Sequence, residues 1–120
     1  MKNLRRLVVT LAVLMVALLC LTATVQAVDI VESGTCGDNL TWTLDDEGTL
    51  TISGDGAMKN YNMNGAPWDD ERANVKQVII ENGVTSIGDC AFYKCNKVTD
   101  VTIPNSVTQI GHSVFTSCKK

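Results

Sequence analysis

The chain is 120 residues long, 45% hydrophobic and 19% charged, with nine glycines and two prolines. That length admits one domain, and the mixture excludes a disordered, collagen-like or low-complexity chain. A formal net charge of −3, from 10 basic and 13 acidic residues, argues against a nucleic-acid partner, which would select a basic surface.

Lys2, Arg5 and Arg6 open the chain, an apolar run fills residues 7–21 (LVVTLAVLMVALLCL), and V-Q-A stands at 25–27. A charged start, an apolar middle and a small-residue end make a secretory signal peptide over residues 1–27, with cleavage expected after Ala27. The run of 15 residues is short of the roughly 20 that a membrane span prefers. Leu19, ahead of Cys20, is too bulky for a lipoprotein signal. Cleavage removes three basic residues and no acidic one, leaving 93 residues with 7 basic against 13 acidic, a net −6. Such a charge favours solubility and disfavours nucleic acid and acidic lipid, so no membrane association is expected after cleavage. The localisation read from this segment is secreted or cell-surface.

Residues 28–74 read as an N-terminal capping region. Leu40, Trp42 and Leu44 alternate with Thr41 and Thr43; Asp45-Asp46-Glu47-Gly48 turns the chain; Leu50 and Ile52 alternate with Thr49, Thr51 and Ser53. This is a β-hairpin with one apolar face. After Gly54-Asp55-Gly56, the stretch KNYNMNGA at 59–66 is a polar loop. Pro67-Trp68-Asp69-Asp70-Glu71-Arg72 reads as a short helical turn, with proline early and acids near its start. Trp42 and Trp68 are expected in the core, covering the first apolar edge of residues 75–120. The alternative is an aromatic platform for sugars.

A repeat dominates residues 75–120. VKQVII at 75–80 lies over VTDVTI at 98–103, an offset of 23 residues that also carries Val84 to Val107, Ile87 to Ile110, Gly88 to Gly111, Phe92 to Phe115 and Cys95 to Cys118. Matched apolar positions stay apolar while those between them vary, which defines two units, 75–97 and 98–120. Val78 with Ile80, and Val101 with Ile103, put two apolar side chains on one face of a strand. Asn82-Gly83 and Pro104-Asn105 turn the chain. Val84, Ile87, Val107 and Ile110 point back inward. Gly88 and Gly111 permit a bend where a side chain would collide or φ must be positive. Equal spacing stacks like on like, so Phe92 should sit over Phe115 and Cys95 over Cys118. Neither unit can cover its own apolar edge. The fold class is therefore mainly β, a short repeat solenoid behind a hairpin cap. The C-terminal side is expected to fray beyond about Gly111 or to self-associate through its uncapped edge.

The stretch IGDCAFYKCNKVTDVTIPNSVTQIG resembles the BspA-type leucine-rich repeat of bacterial surface proteins, and CGDNLTWTLDDEGTLTISGDGAM at 36–58 with A-P-W at 66–68 is similar to the region that opens such proteins. The resemblance spans about Gly34 to Lys120. Val114 stands where alanine is usual, Glu81 where Pro104 follows the pattern, and Cys90 where a polar or aromatic residue is usual. The resemblance implies a curved right-handed solenoid, export, and binding of proteins or surfaces rather than catalysis. In this family the concave strand face usually carries the partner site. By alternation that face presents Gln77, Ile79, Glu81, Asp100 and Thr102.

Groups suited to chemistry are few. Cys36, Cys90, Cys95 and Cys118 remain after cleavage. An even count in an exported chain permits disulfides in three pairings, but Cys95 and Cys118 fall on repeat positions where a buried thiol serves as a small apolar side chain. Cys90 and Cys95 with His112 do not have zinc-site spacing. His112 is the lone histidine and is expected at an exposed turn, with no nucleophile frame near it. The acidic runs at 45–47 and 69–71 lack the alternating spacing that wraps calcium. No catalytic residue, cofactor or metal is expected. The expected function is an exported interaction module for a protein or cell-surface ligand, adhesin-like and non-catalytic. The alternatives are a structural capping segment of a longer surface protein and a carbohydrate-binding domain built on Trp42 and Trp68.

Overall fold

A computed structural model describes residues 27–118; the signal-peptide reading of residues 1–27 falls almost entirely outside the described residues. The described chain is mainly β, with one 3-10 turn at Asp69–Asn74. Strands β1 (Ile30–Gly37), β2 (Leu40–Asp45) and β3 (Thr49–Gly54) form an antiparallel meander. The β2–β3 hairpin follows its alternation: Leu40, Trp42, Leu44, Leu50 and Ile52 are all buried. Its turn closes because the Asp45 carboxylate accepts the N–H of Glu47 at 2.9 Å and of Thr49 at 3.0 Å. Gly48 takes a φ of +86° there, and a Cβ at that position would come 2.6 Å from the Asn74 carbonyl oxygen. The first acidic run is thus part of a turn. Strand β1 was not expected, because it lacks an alternating apolar face, with Ile30, Val31, Glu32 and Ser33 all exposed, and its register shifts between Ile30 and Glu32 and between Thr35 and Gly37.

From β3 onward the chain stacks in parallel. Strand β5 (Gln77–Ile80) lies beside β3 and β7 (Asp100–Thr102) beside β5, giving one five-stranded sheet in the order β1-β2-β3-β5-β7. Val78 opposes Val101 and Ile79 opposes Thr102, the 23-residue offset read from the sequence. Leu50 opposes Val78 and Ile52 opposes Ile80, an offset of 28. The second strand of the hairpin is therefore also the first rung of the parallel stack, in a longer unit whose extra residues fall mostly between Ala57 and Trp68. A second, three-stranded parallel sheet holds β4 (Gly56–Ala57), β6 (Val84–Ile87) and β8 (Gln109–Ile110). It comes from residues the sequence placed only as inward-pointing turns.

The inward side chains form one apolar cluster. Its spine is a ring stack: Trp68 on Phe92 with centroids 5.6 Å apart, and Phe92 on Phe115 at 5.7 Å, both nearly parallel. Trp68 occupies in the longer unit the place that Phe92 occupies in the next, and its Nε1–H donates to the Ala91 carbonyl at 2.8 Å. Trp42 meets Trp68 edge-on at 5.6 Å. Both tryptophans are buried, so neither offers a platform to a sugar. At Gly88 and Gly111, close approach and not positive φ is what requires glycine: a Cβ at Gly88 would fall 1.7 Å from the Lys59 carbonyl oxygen, and one at Gly111 would fall 2.6 Å from the Asp89 nitrogen. Positive φ belongs instead to Cys90, Lys94, Ser113 and Ser117, again 23 residues apart in pairs. Beyond Gly111, the carbonyls of His112, Val114 and Thr116 accept the N–H groups of Cys90, Phe92 and Lys94. These bonds tie the segment to the preceding unit.

Candidate binding surface

The outer face of the five-stranded sheet is set by strand alternation. With Leu50, Ile52, Val78 and Ile80 buried beneath, the residues between them point to the opposite side. One row runs across all five strands: Ser33, Thr43, Thr51, Ile79 and Thr102 are consecutive register partners. A second row holds Thr35, Thr41 and Ser53, continued by Glu81, whose carboxylate accepts the Ser53 hydroxyl. A third aligns Thr49, Gln77 and Asp100, with the Gln77 amide donating to Asp100 at 3.5 Å.

All five residues expected on this face lie together here. Gln77 and Ile79 are half-buried on β5; Glu81 follows that strand and is exposed; Asp100 and Thr102 are exposed on β7. The hydroxyl residues of β1, β2 and β3 extend the same surface and were missed as part of it. Their signal was present in the T-x-T spacings at 41–43 and 49–51. It went unread because the 28-residue offset hid the continuity of β3 with β5. Each carboxylate on the face already has a neighbour, and the middle row is uncharged. The surface is an array of hydroxyl and methyl groups with acidic flanks.

A trough of about 780 Å³ lies over the second sheet and includes Asn60, Asp89 and His112. Asn60 Oδ1 accepts the Asp89 N–H at 2.9 Å, and Asp89 Oδ1 accepts the His112 N–H at 2.8 Å. Asp89 thus meets the backbone of His112 and not its ring, and the imidazole is exposed. The second acidic run opens the 3-10 turn, where Asp69 pairs with Arg72 at 2.9 Å. The four cysteines among the described residues are free thiols. Burial pushes Cys36 up to about 11 and Cys95 up to about 12, and raises Cys118 as well. Tyr61 is pushed up to about 12 by burial, with the Cys36 thiol adding to it. Thiols held protonated in this way are poor nucleophiles and poor metal ligands. Among the described residues, no three His, Cys, Asp or Glu side chains come together to hold a metal. No helix among them is long and apolar enough to cross a membrane.

Residues 70–120 match the family model described as BspA type Leucine rich repeat region (6 copies). Among solved structures, the chain is similar to a leucine-rich repeat protein from Eubacterium ventriosum ATCC 27560, with 37% identity and a TM-score of 0.68 over 72% of this chain. The chain spans 24% of that protein's length. No curated protein matches the chain. The resemblance drawn from the repeat residues is therefore shown, and with it the coarse reading of a mainly β chain with leucine-rich repeats.

Proposed function

We propose that this chain, whose residues 70–120 carry the BspA-type leucine-rich repeat pattern, is an exported, non-catalytic interaction module that binds a protein or cell-surface ligand in an adhesin-like way. In this reading the units at 75–97 and 98–120 are turns of a solenoid, residues 28–74 open it as a hairpin cap, and residues 1–27 direct export. The outer sheet face carries the partner. The observation behind the proposal is the uncharged row Ser33, Thr43, Thr51, Ile79 and Thr102, aligned across five strands. Gln77, Glu81 and Asp100 flank it.

A face of five short strands is a patch smaller than the roughly 800 Å² per partner of a standard interface, so a single chain binds weakly and arrays bind by avidity. The test is to display the chain multivalently against a panel of purified extracellular-matrix proteins and bacterial surface polymers. Binding that Thr51→Lys with Thr102→Lys abolishes, and that Ser86→Lys on the other sheet leaves intact, supports the assignment. Binding that neither face affects overturns it.

A second reading concerns self-association. Ile103, Ile110 and Phe115 are exposed. The equivalents of the last two in the preceding unit, Ile87 and Phe92, are each 1% exposed against 53% for Ile110 and 37% for Phe115. A second copy of the chain seated on this face would cover what one unit covers for another. The capping-segment alternative shares this architecture and places the ligand site elsewhere in a longer protein. The carbohydrate alternative has lost the exposed tryptophans on which it stood.

A further inference from the structure

We propose that Cys95 and Cys118 form a cross-unit disulfide that fastens the unit carrying β7 and β8 onto the unit before it, so that this end of the stack is set by the redox state of its surroundings. The two cysteines hold the same position in successive 23-residue units. Parallel neighbours in such a stack stand about 4.8 Å apart. Three residues upstream of the two cysteines, the equivalent rings of Phe92 and Phe115 are 5.7 Å apart. The strand spacing lies within the Cα separation that a disulfide spans, about 4.4–6.8 Å, and the ring stack keeps the same register to within three residues of the cysteines. The sulfur is close as well. Cys118 Sγ lies 3.0 Å from the Phe92 carbonyl oxygen, which also accepts the Cys95 N–H at 3.1 Å, and the Cys95 N–H itself bears on the Cys118 thiol. Cys36 and Cys90 have no such partner by register: Ser113 takes the position of Cys90 in the next unit. The thiols are free in the structure, so the bridge is the second state of the pair.

The step needs a disulfide donor such as oxidised glutathione. The Cys118 thiolate, the less buried of the two, attacks one glutathione sulfur and releases one glutathione. The Cys95 thiolate then attacks Sγ of Cys118, forms the Cys95–Cys118 bond and releases the second glutathione. The two protein thiols are oxidised, the glutathione disulfide is reduced, and the two thiol protons end on the released glutathiones. Burial keeps both thiols protonated near neutrality, so exchange is slow there and quickens as the solution becomes alkaline.

The test is to incubate the chain with oxidised glutathione in mildly alkaline buffer, digest it and map linked peptides by mass spectrometry. The expected product is a Cys95–Cys118 peptide with the loss of two hydrogens. It should come with a rise in thermal midpoint that dithiothreitol reverses, because the closed loop restrains the unfolded chain. Cys118→Ser should remove both the linkage and the rise, and Cys90→Ser neither. Glutathione retained on Cys118, a linkage to Cys36 or Cys90, or two unmodified thiols would each overturn the proposal. A linked product with no rise in midpoint would overturn the fastening.

Discussion

Phe92 is held between two flat neighbours, Trp68 on one side and Phe115 on the other. Its removal opens a void that neither rigid ring can fill. Phe92→Ala should therefore cost about 3–5 kcal/mol, read as a fall in urea midpoint, while Phe115→Ala, with one face open, should cost roughly half of that. Lys94 tests the opposite sign. It is exposed and sits at a φ of 57°, a left-handed conformation that glycine adopts freely and other residues adopt at a cost. Lys94→Gly should stabilise the chain by about 0.5–1 kcal/mol, the relief exceeding the entropy that glycine adds to the unfolded state. The buried thiols set a pH dependence. Burial lifts Cys95 from 9.0 to about 12 and Cys36 from 9.0 to about 11, so the folded state holds these protons more tightly than the unfolded one. Their contribution is complete below about 9 and is lost as pH rises from there through about 11 and 12. The urea midpoint should decline across that alkaline window, and Cys95→Ala should make the decline shallower.

At the scale of elements, the fold depends on backbones that approach without side chains between them. Gly88 follows β6, and its hydrogen faces the Lys59 carbonyl just past β4. Gly88→Ala would push those two segments apart and break the β4–β6 pairing; a loss of more than about 2 kcal/mol is expected. Amide exchange should report the opening first at Met58, whose N–H donates to the Ser86 carbonyl at 3.3 Å. These contacts also explain which elements could be read from residue order. The 23-residue register showed because β5, β7 and the rings between them repeat with identical spacing, so an apolar side chain returns to the same depth each time. The hairpin showed because one face of β2 and β3 is apolar. Strand β1 did not show, since apolar and polar residues do not alternate along it and its register breaks twice. The longer first unit did not show either, because Trp68 takes the place of Phe92 after a loop of different length. For the same reason the candidate face was legible on Gln77, Ile79, Glu81, Asp100 and Thr102 and not on the threonines of β2 and β3. A strand read only as a hairpin partner gives no reason to look for a parallel neighbour on its other edge.

At the scale of the whole molecule, the proposed association through Ile103, Ile110 and Phe115 has a magnitude that bounds it. Full burial of one such side chain contributes about 1.5–3 kcal/mol, and these three are already about half covered. Their remaining burial therefore supplies roughly 3–4 kcal/mol in all. Unpaired backbone groups on the free edge of β7 add to this, and the loss of translational and rotational freedom opposes it. Burial of about 3–4 kcal/mol on its own corresponds to a dissociation constant of about 1–6 mM, so the chain should sediment as a monomer in dilute solution and form dimers only in the millimolar range. Ile110→Lys should abolish the dimer without unfolding the chain, since that side chain is exposed and β8 is paired through its backbone to β6. Thr51→Lys, on the candidate partner face, should leave it unchanged. A wild-type chain that stays monomeric through the millimolar range, or a dimer that survives Ile110→Lys, would show that this face is not where copies meet. Binding of a ligand by the sheet face would be unaffected by either result, because the two surfaces share β7 only at its backbone.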